Sequence, residues 1–204
     1  LLNKKETQYI GDRLHLIEVK DGEERTILNK KVTFFDIGST KAKQFGFQMI
    51  YDGGKVLTCC GDEPYNECEE KYAKGSDWMF HEAFCLYGQR DIFNPYEKHH
   101  STVKDASELA ENLGVKNLVL YHTEDKNIKK RKELYGAEGR EYYHGNLFVP
   151  DDLDVIESAA YYTGILCGLK VNQSMTMKEL PGVTGLVTEY GFDTGEDGRL
   201  LMNA

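Results

Sequence analysis

The chain has 204 residues, 40% of them hydrophobic and 29% charged, with a formal charge of −9. That length is enough to bury a core of one domain, or of one domain plus a further piece, and the balance is that of an ordinary soluble globular protein. The acidic excess argues against a broad nucleic-acid footprint, which would need Lys and Arg, and leaves room only for a local basic patch.

The chain starts at Leu1-Leu2-Asn3-Lys4-Lys5, without Met or a signal peptide, and reads as the middle of a longer sequence, so a truncation is expected. From about residue 12 to 60, short apolar runs broken by turn residues predict strands over 14–19, 32–37, 45–51 and 56–60. Asp52-Gly53-Gly54 marks a hairpin between the last two, because Gly takes positive φ without steric cost. From 61 to 157 the pattern alternates between strand and helix. A strand is predicted over 77–84. Val103, Ala106, Leu109, Ala110 and Leu113 give a helical spacing over 102–113, with Ser101 or Thr102 as its N-cap and Gly114 as its stop. The continuous run 117–121 predicts a buried strand. The charged stretch 125–141 reads as a solvated surface helix, and 147–149 as a last short strand. The fold class is therefore α/β, in layers.

From Ser158 the character changes. The run 161–169 is apolar and Gly-rich, 182–190 has the look of a strand, and the end is acidic. Residues 1–157 are read as one partial domain and 158–204 as an unassigned extension without a catalytic motif. No window reaches about 18 uninterrupted apolar residues, so no membrane span is expected. Five cysteines, Cys59, Cys60, Cys68, Cys85 and Cys167, form an odd set without a C-x-x-C pair. They fit reduced thiols in a cytoplasmic protein better than a disulfide framework.

Polar residues recur at the carboxyl ends of the predicted strands, where α/β sheets gather their sites. Asp62 follows a strand in CCGDEP, and His81 and Glu82 lie in WMFHEAFC. His99 and His100 stand before the helix in EKHHSTVKDA, and His122 ends NLVLYHTED. Asp offers a hard oxygen and imidazole suits Zn²⁺, so such residues on adjacent strand ends could hold one metal or one phosphate. Taken singly, each has a plainer reading. Asp62 would be a turn residue, His122 a hydrogen-bonded loop histidine, His81 a satisfied core residue and Ser101-Thr102 a helix cap. His15, His99 and His144 are read as surface or structural residues.

In order and together, CCGDEP, FHEAFC and HHSTVKDASELAENLGVKNLVLYH resemble the C-terminal motif series of ribonuclease Z and its relatives in the metallo-β-lactamase superfamily, over roughly residues 10–157. The resemblance implies the C-terminal half of an αββα sandwich and a zinc-dependent hydrolase with two ions in the complete domain. It makes Asp62 the bridging metal ligand and His122 the last His ligand. His100 becomes the catalytic histidine that assists the leaving group, and His81 and Glu82 the supporting segment beside it. Two metals about 3.5–4 Å apart would stabilise the attacking and leaving oxygens of a phosphodiester.

Two departures stand against this. The family's motif H-x-H-x-D-H is absent before Asp62, and in FFDIGSTKAKQFGF the position matching a further His ligand is Gly38. The long Gly-Pro-rich arm that many ribonuclease Z enzymes use to grip tRNA also has no room between Phe47 and Asp62, which with the acidic charge disfavours tRNA or other RNA as the substrate. A phosphodiester or other small ester is the expected substrate. The alternative is a truncated or degenerate non-catalytic half-domain that depends on a partner chain. An uncovered sheet face in such a half would favour a homodimer.

Overall fold

The computed structural model describes residues 16–156, together with the backbone of two short strands, Ser174–Thr176 and Arg199–Leu201, which pair antiparallel. His15, Cys167, the run 161–169 and the expected strand 182–190 lie outside the described residues. The chain divides into two compact units, Val19–Asp151 and a second made of Leu1–Glu18 with Asp152–Ala204.

The first unit is built on a seven-stranded sheet whose spatial order follows the chain. Strands β1 (Glu23–Ile27), β2 (Lys30–Asp36), β3 (Phe45–Tyr51) and β4 (Lys55–Cys59) form an antiparallel meander. Strands β5 (Trp78–Glu82), β6 (Asn117–Tyr121) and β7 (Asn146–Phe148) then continue the sheet in parallel from β4. Parallel strands need crossovers, and helices supply them. Single-turn helices α1 (Glu70–Ala73) and α2 (Arg90–Phe93) lie on either side of β5 in sequence. The longer α3 (Val103–Asn112) leads into β6, and α4 (Arg131–Tyr142) into β7.

Local chemistry explains most of these boundaries. The hairpin at Asp52-Gly53-Gly54 has φ of +29°, +77° and +96°, and the Gly54 N–H donates to the Tyr51 carbonyl at 3.0 Å. Thr102 caps α3. Its Oγ1 accepts from the Asp105 N–H at 3.3 Å, and the Asp105 carboxylate accepts from the Thr102 N–H at 2.9 Å.

Three expectations need correcting. Residues 16–19 are not in a strand, and the first strand is β1, an edge strand of sequence EERTI with little apolar content. Its turn to β2 is made by Leu28 and Asn29 at φ of +51° and +59°, a left-handed pair without the usual glycine, so no turn signal was visible. Strand β5 is shorter than 77–84, ending at Glu82. Finally, α4 starts at Arg131, after a 3₁₀ turn at Ile128–Lys130, and is not merely a solvated face: Tyr135, Gly136 and Gly139 are buried.

The core lies where α3 and α4 meet the parallel strands: Val103, Ala106 and Ala110 pack with Met79, Leu118, Leu120, Tyr135 and Tyr143. Both of these tyrosines keep the hydroxyl satisfied. Tyr135 donates to the Phe84 carbonyl at 2.9 Å and Tyr143 to the Val115 carbonyl at 3.0 Å. Strand β5 is buried along its whole length, as befits a parallel strand covered on both faces. Among the described residues, no helix is long and apolar enough to cross a membrane, and Cys59, Cys60, Cys68 and Cys85 are free thiols.

Candidate active site

The carboxyl ends of β4, β5 and β6 are stitched together by backbone hydrogen bonds. Cys60 N–H donates to the Phe80 carbonyl and Ala83 N–H to the Tyr121 carbonyl, both at 3.0 Å. Phe84 N–H donates to Ser101 O at 2.9 Å, and Glu124 N–H to Phe84 O at 2.8 Å. The Tyr121 hydroxyl also donates to the Gly61 carbonyl. One hydrogen bond thus joins the residue before Asp62 to the residue before His122. Burial raises the pKa of the Tyr121 hydroxyl well above that of an ordinary phenol, so it stays a neutral donor.

Successive residues of β5 point to opposite faces, which separates His81 from Glu82. Glu82 has no exposed surface. One carboxylate oxygen accepts from the Ser101 N–H. The other lies 3.5 Å from Nδ1 of His100, within ion-pair distance but without hydrogen-bond alignment. We read that contact as an electrostatic one that a bound ligand could tighten, as catalytic hydrogen bonds often do.

His100 keeps 16% of its side chain exposed. Its ring stacks on Phe84 with centroids 5.0 Å apart, and lies 4.9 Å from the ring of His122 at an interplanar angle of 43°. Two imidazoles and a buried carboxylate are therefore grouped at the ends of β5 and β6. The backbone is unusual at the same place: His99 has φ of +60° and His122 of +52°, left-handed conformations uncommon for residues with a Cβ.

His81, 1% exposed, sends Nδ1 to its neighbour's carbonyl: the ring N–H donates to Glu82 O at 2.7 Å. That bond leaves Nε2 as the acceptor nitrogen of the neutral ring, buried and without a hydrogen-bond partner among the described residues. His81 and His100 line a cavity of about 220 Å³ with Tyr65, Tyr96 and Leu109. His99 is exposed and belongs to the turn before His100, and His144 is an exposed partner of Glu111 at 3.1 Å. Phe84 and the Ser101 N–H were not anticipated from the residues alone. A backbone donor leaves no mark in a sequence, and an aromatic next to a strand end is ordinary core material.

No protein-family model matches the chain. Ribonuclease Z of Streptococcus gordonii is 30% identical over 120 residues, which is 59% of this chain and 38% of that protein. The metallo-β-lactamase fold protein YhfI of Bacillus subtilis aligns with a TM-score of 0.56 at 15% identity, over 66% of this chain and 52% of that one. Zn²⁺-bound PqqB of Methylobacterium extorquens aligns at 0.53 and 14% identity, over 67% and 55%. The chain has, in part, the metallo-β-lactamase fold, and its sequence is ribonuclease Z-like. It spans under half of the length of the ribonuclease Z it matches.

A ribonuclease Z-like chain invites a test for metal. Asp62 and His122 offer two donors, whereas a zinc centre takes about four. Among the described residues, no three His, Cys, Asp or Glu side chains gather as a metal ion requires. Nor can Gly38 be supplemented simply. It sits at φ of +72°, and a Cβ there would come within 2.7 Å of the Asn66 side-chain amide. Asn66 fills the place that a ligand side chain at position 38 would need. Glu63, beside Asp62, is buried and already engaged, accepting from Ser39 Oγ at 2.9 Å and from Gln44 Nε2 at 3.0 Å. On their own, the described residues do not fit a metal.

Proposed function

We propose that this chain carries the proton-donating part of a phosphodiester hydrolase of the metallo-β-lactamase superfamily. The single observation behind this reading is the buried Glu82 carboxylate, held by the Ser101 N–H on one side and facing Nδ1 of His100 on the other. A carboxylate facing Nδ1 fixes the ring so that Nε2 can meet a leaving oxygen. As a water oxygen bonds to phosphorus and loses a proton to solvent, the P–O bond to the leaving alcohol breaks, its electron pair stays on the alcohol oxygen, and that oxygen takes the proton on His100 Nε2. Glu82 fixes the orientation of the ring throughout. Asp62 and His122 are assigned as metal ligands, supported by the likeness to ribonuclease Z and by the bond that joins Tyr121 to Gly61. His81 supports the Glu82 strand end. Zinc is the metal we assign to the complete centre, because a neighbour in this fold is Zn²⁺-bound.

A second reading, a half-domain that holds no metal by itself, is favoured by the lack of a three-ligand group among the described residues and by Asn66 standing against Gly38. Zinc content measured after dialysis, together with hydrolysis of bis-p-nitrophenyl phosphate, separates the two. About two zinc equivalents with turnover supports the first reading. No retained zinc and no turnover would replace it with the second.

A further inference from the structure

The backbone around His100 is pinned by hydrogen bonds, whereas its ring is not. The His100 N–H donates to the Pro95 carbonyl at 2.9 Å. Ser101 is held on both sides, its N–H by the Glu82 carboxylate and its carbonyl by the Phe84 N–H at 2.9 Å. Nδ1 of His100 faces Glu82 at 3.5 Å without hydrogen-bond alignment. Attraction to that carboxylate selects which edge of the ring turns inward, but an unaligned contact leaves the plane of the ring open, because χ2 of a histidine is a broad torsion.

Phe84 supplies what is missing. Its ring stacks on His100 with centroids 5.0 Å apart and an interplanar angle of 22°. The platform is itself held on several sides. The Phe84 carbonyl accepts from the Glu124 N–H at 2.8 Å and from the Tyr135 hydroxyl at 2.9 Å. Phe93 meets its ring at 86° with centroids 6.2 Å apart, and the Lys98 ammonium stands over it at 5.3 Å. One residue thus ties the turn before α3, the loop after β6 and helix α4 to the end of β5. Stacking of flat π-systems is directional, so an aromatic face selects a near-coplanar imidazole where an aliphatic side chain of similar bulk would not.

We infer that Phe84 is a positioning residue for His100. Its ring face sets the plane of the imidazole, while Glu82 sets which edge turns inward. The inference rests on the reading of His100 as the proton donor and adds the side chain that holds the donor still. A donor must stay within hydrogen-bond reach of the oxygen it protonates, so a ring that swings is misaligned for part of the time and slows the chemical step without weakening substrate binding.

The test uses Phe84→Leu and Phe84→Tyr, with Phe93→Leu as a control that removes another ring from the same cluster. In the 204-residue chain, ¹³C relaxation at Cε1 of His100 should report an ordered ring in the parent, in Phe84→Tyr and in Phe93→Leu, and a mobile one in Phe84→Leu. In the complete domain with its zinc centre, Phe84→Leu should lower kcat on a dinucleotide about 10²-fold with KM unchanged, and Phe84→Tyr should keep the parent's rate. A mobile ring in the parent, an equally ordered ring in Phe84→Leu, or the same loosening in Phe93→Leu or Phe84→Tyr would each overturn the role of Phe84. If Phe84→Leu alone loosens the ring and the dinucleotide rate is unchanged, Phe84 does position His100, and the reading of His100 as proton donor is what fails.

Discussion

Glu69 shows how one side chain ties stability to pH. It has no exposed surface. One carboxyl oxygen accepts the Asn66 N–H at 2.9 Å, the other has no hydrogen-bond partner among the described residues, and the Cys60 thiol, a weak donor, lies beside the group. Burial pushes its pKa up to about 8 from an ordinary 4.5, against the smaller opposing effects of those two contacts. Between these values the folded chain keeps a proton that the unfolded chain has lost. Stability therefore falls as pH rises through that window and levels off above it. Thermal melts of Glu69→Gln should lose this part of the pH dependence, since the amide stays neutral throughout. An unchanged slope in the variant would place the dependence on another group. Glu82, also fully buried and also meeting a backbone N–H, differs in that its second oxygen faces the imidazole of His100, which suits it to orient a proton donor.

At the scale of elements, the hydrophobic pattern announces what is buried and misses what is held by backbone geometry. The helix before β6, its Thr102 cap and the Asp52-Gly53-Gly54 hairpin were legible because periodicity, capping chemistry and glycine φ all act locally. Strand β1 was not, since an edge strand of charged residues needs no apolar stripe, and the Leu28-Asn29 turn adopts its left-handed pair against residue preference. Of the candidate site, the polar strand ends at Glu82 and His122 could be read from sequence. The grouping of His100 with both was expected from the resemblance and not from the residues by themselves, because it depends on the turn at His99 and on a stack against Phe84. Gly46 is a further case of a constraint invisible in one dimension. A Cβ there would collide with the Phe35 ring and come within 2.6 Å of the Cys59 carbonyl, so β3 must pass between β2 and β4 without a side chain. Gly46→Ala should cost on the order of 1–3 kcal/mol by overpacking, read as a lower urea midpoint at constant m-value. A midpoint equal to the parent's would show that the sheet relaxes around the methyl group.

At the scale of the unit Val19–Asp151, an acidic chain with part of a metallo-β-lactamase fold arranges its polar strand ends along one edge of a mixed sheet. The sheet supplies position, the loops supply chemistry, and each loop is fastened to its neighbour by the bonds that join residues 61 to 121 and 84 to 101. The proposed chemistry turns on His100 as the proton donor to a leaving oxygen, and the dependence of rate on the leaving group tests this most directly. A p-nitrophenolate leaves without help, whereas a nucleoside alkoxide does not. For His100→Ala, the complete domain with its zinc centre should lose about 10²–10⁴-fold in kcat on a dinucleotide and much less on bis-p-nitrophenyl phosphate, with Glu82→Gln following the same order. Equal losses on the two substrates, or none on the dinucleotide, would contradict the assignment.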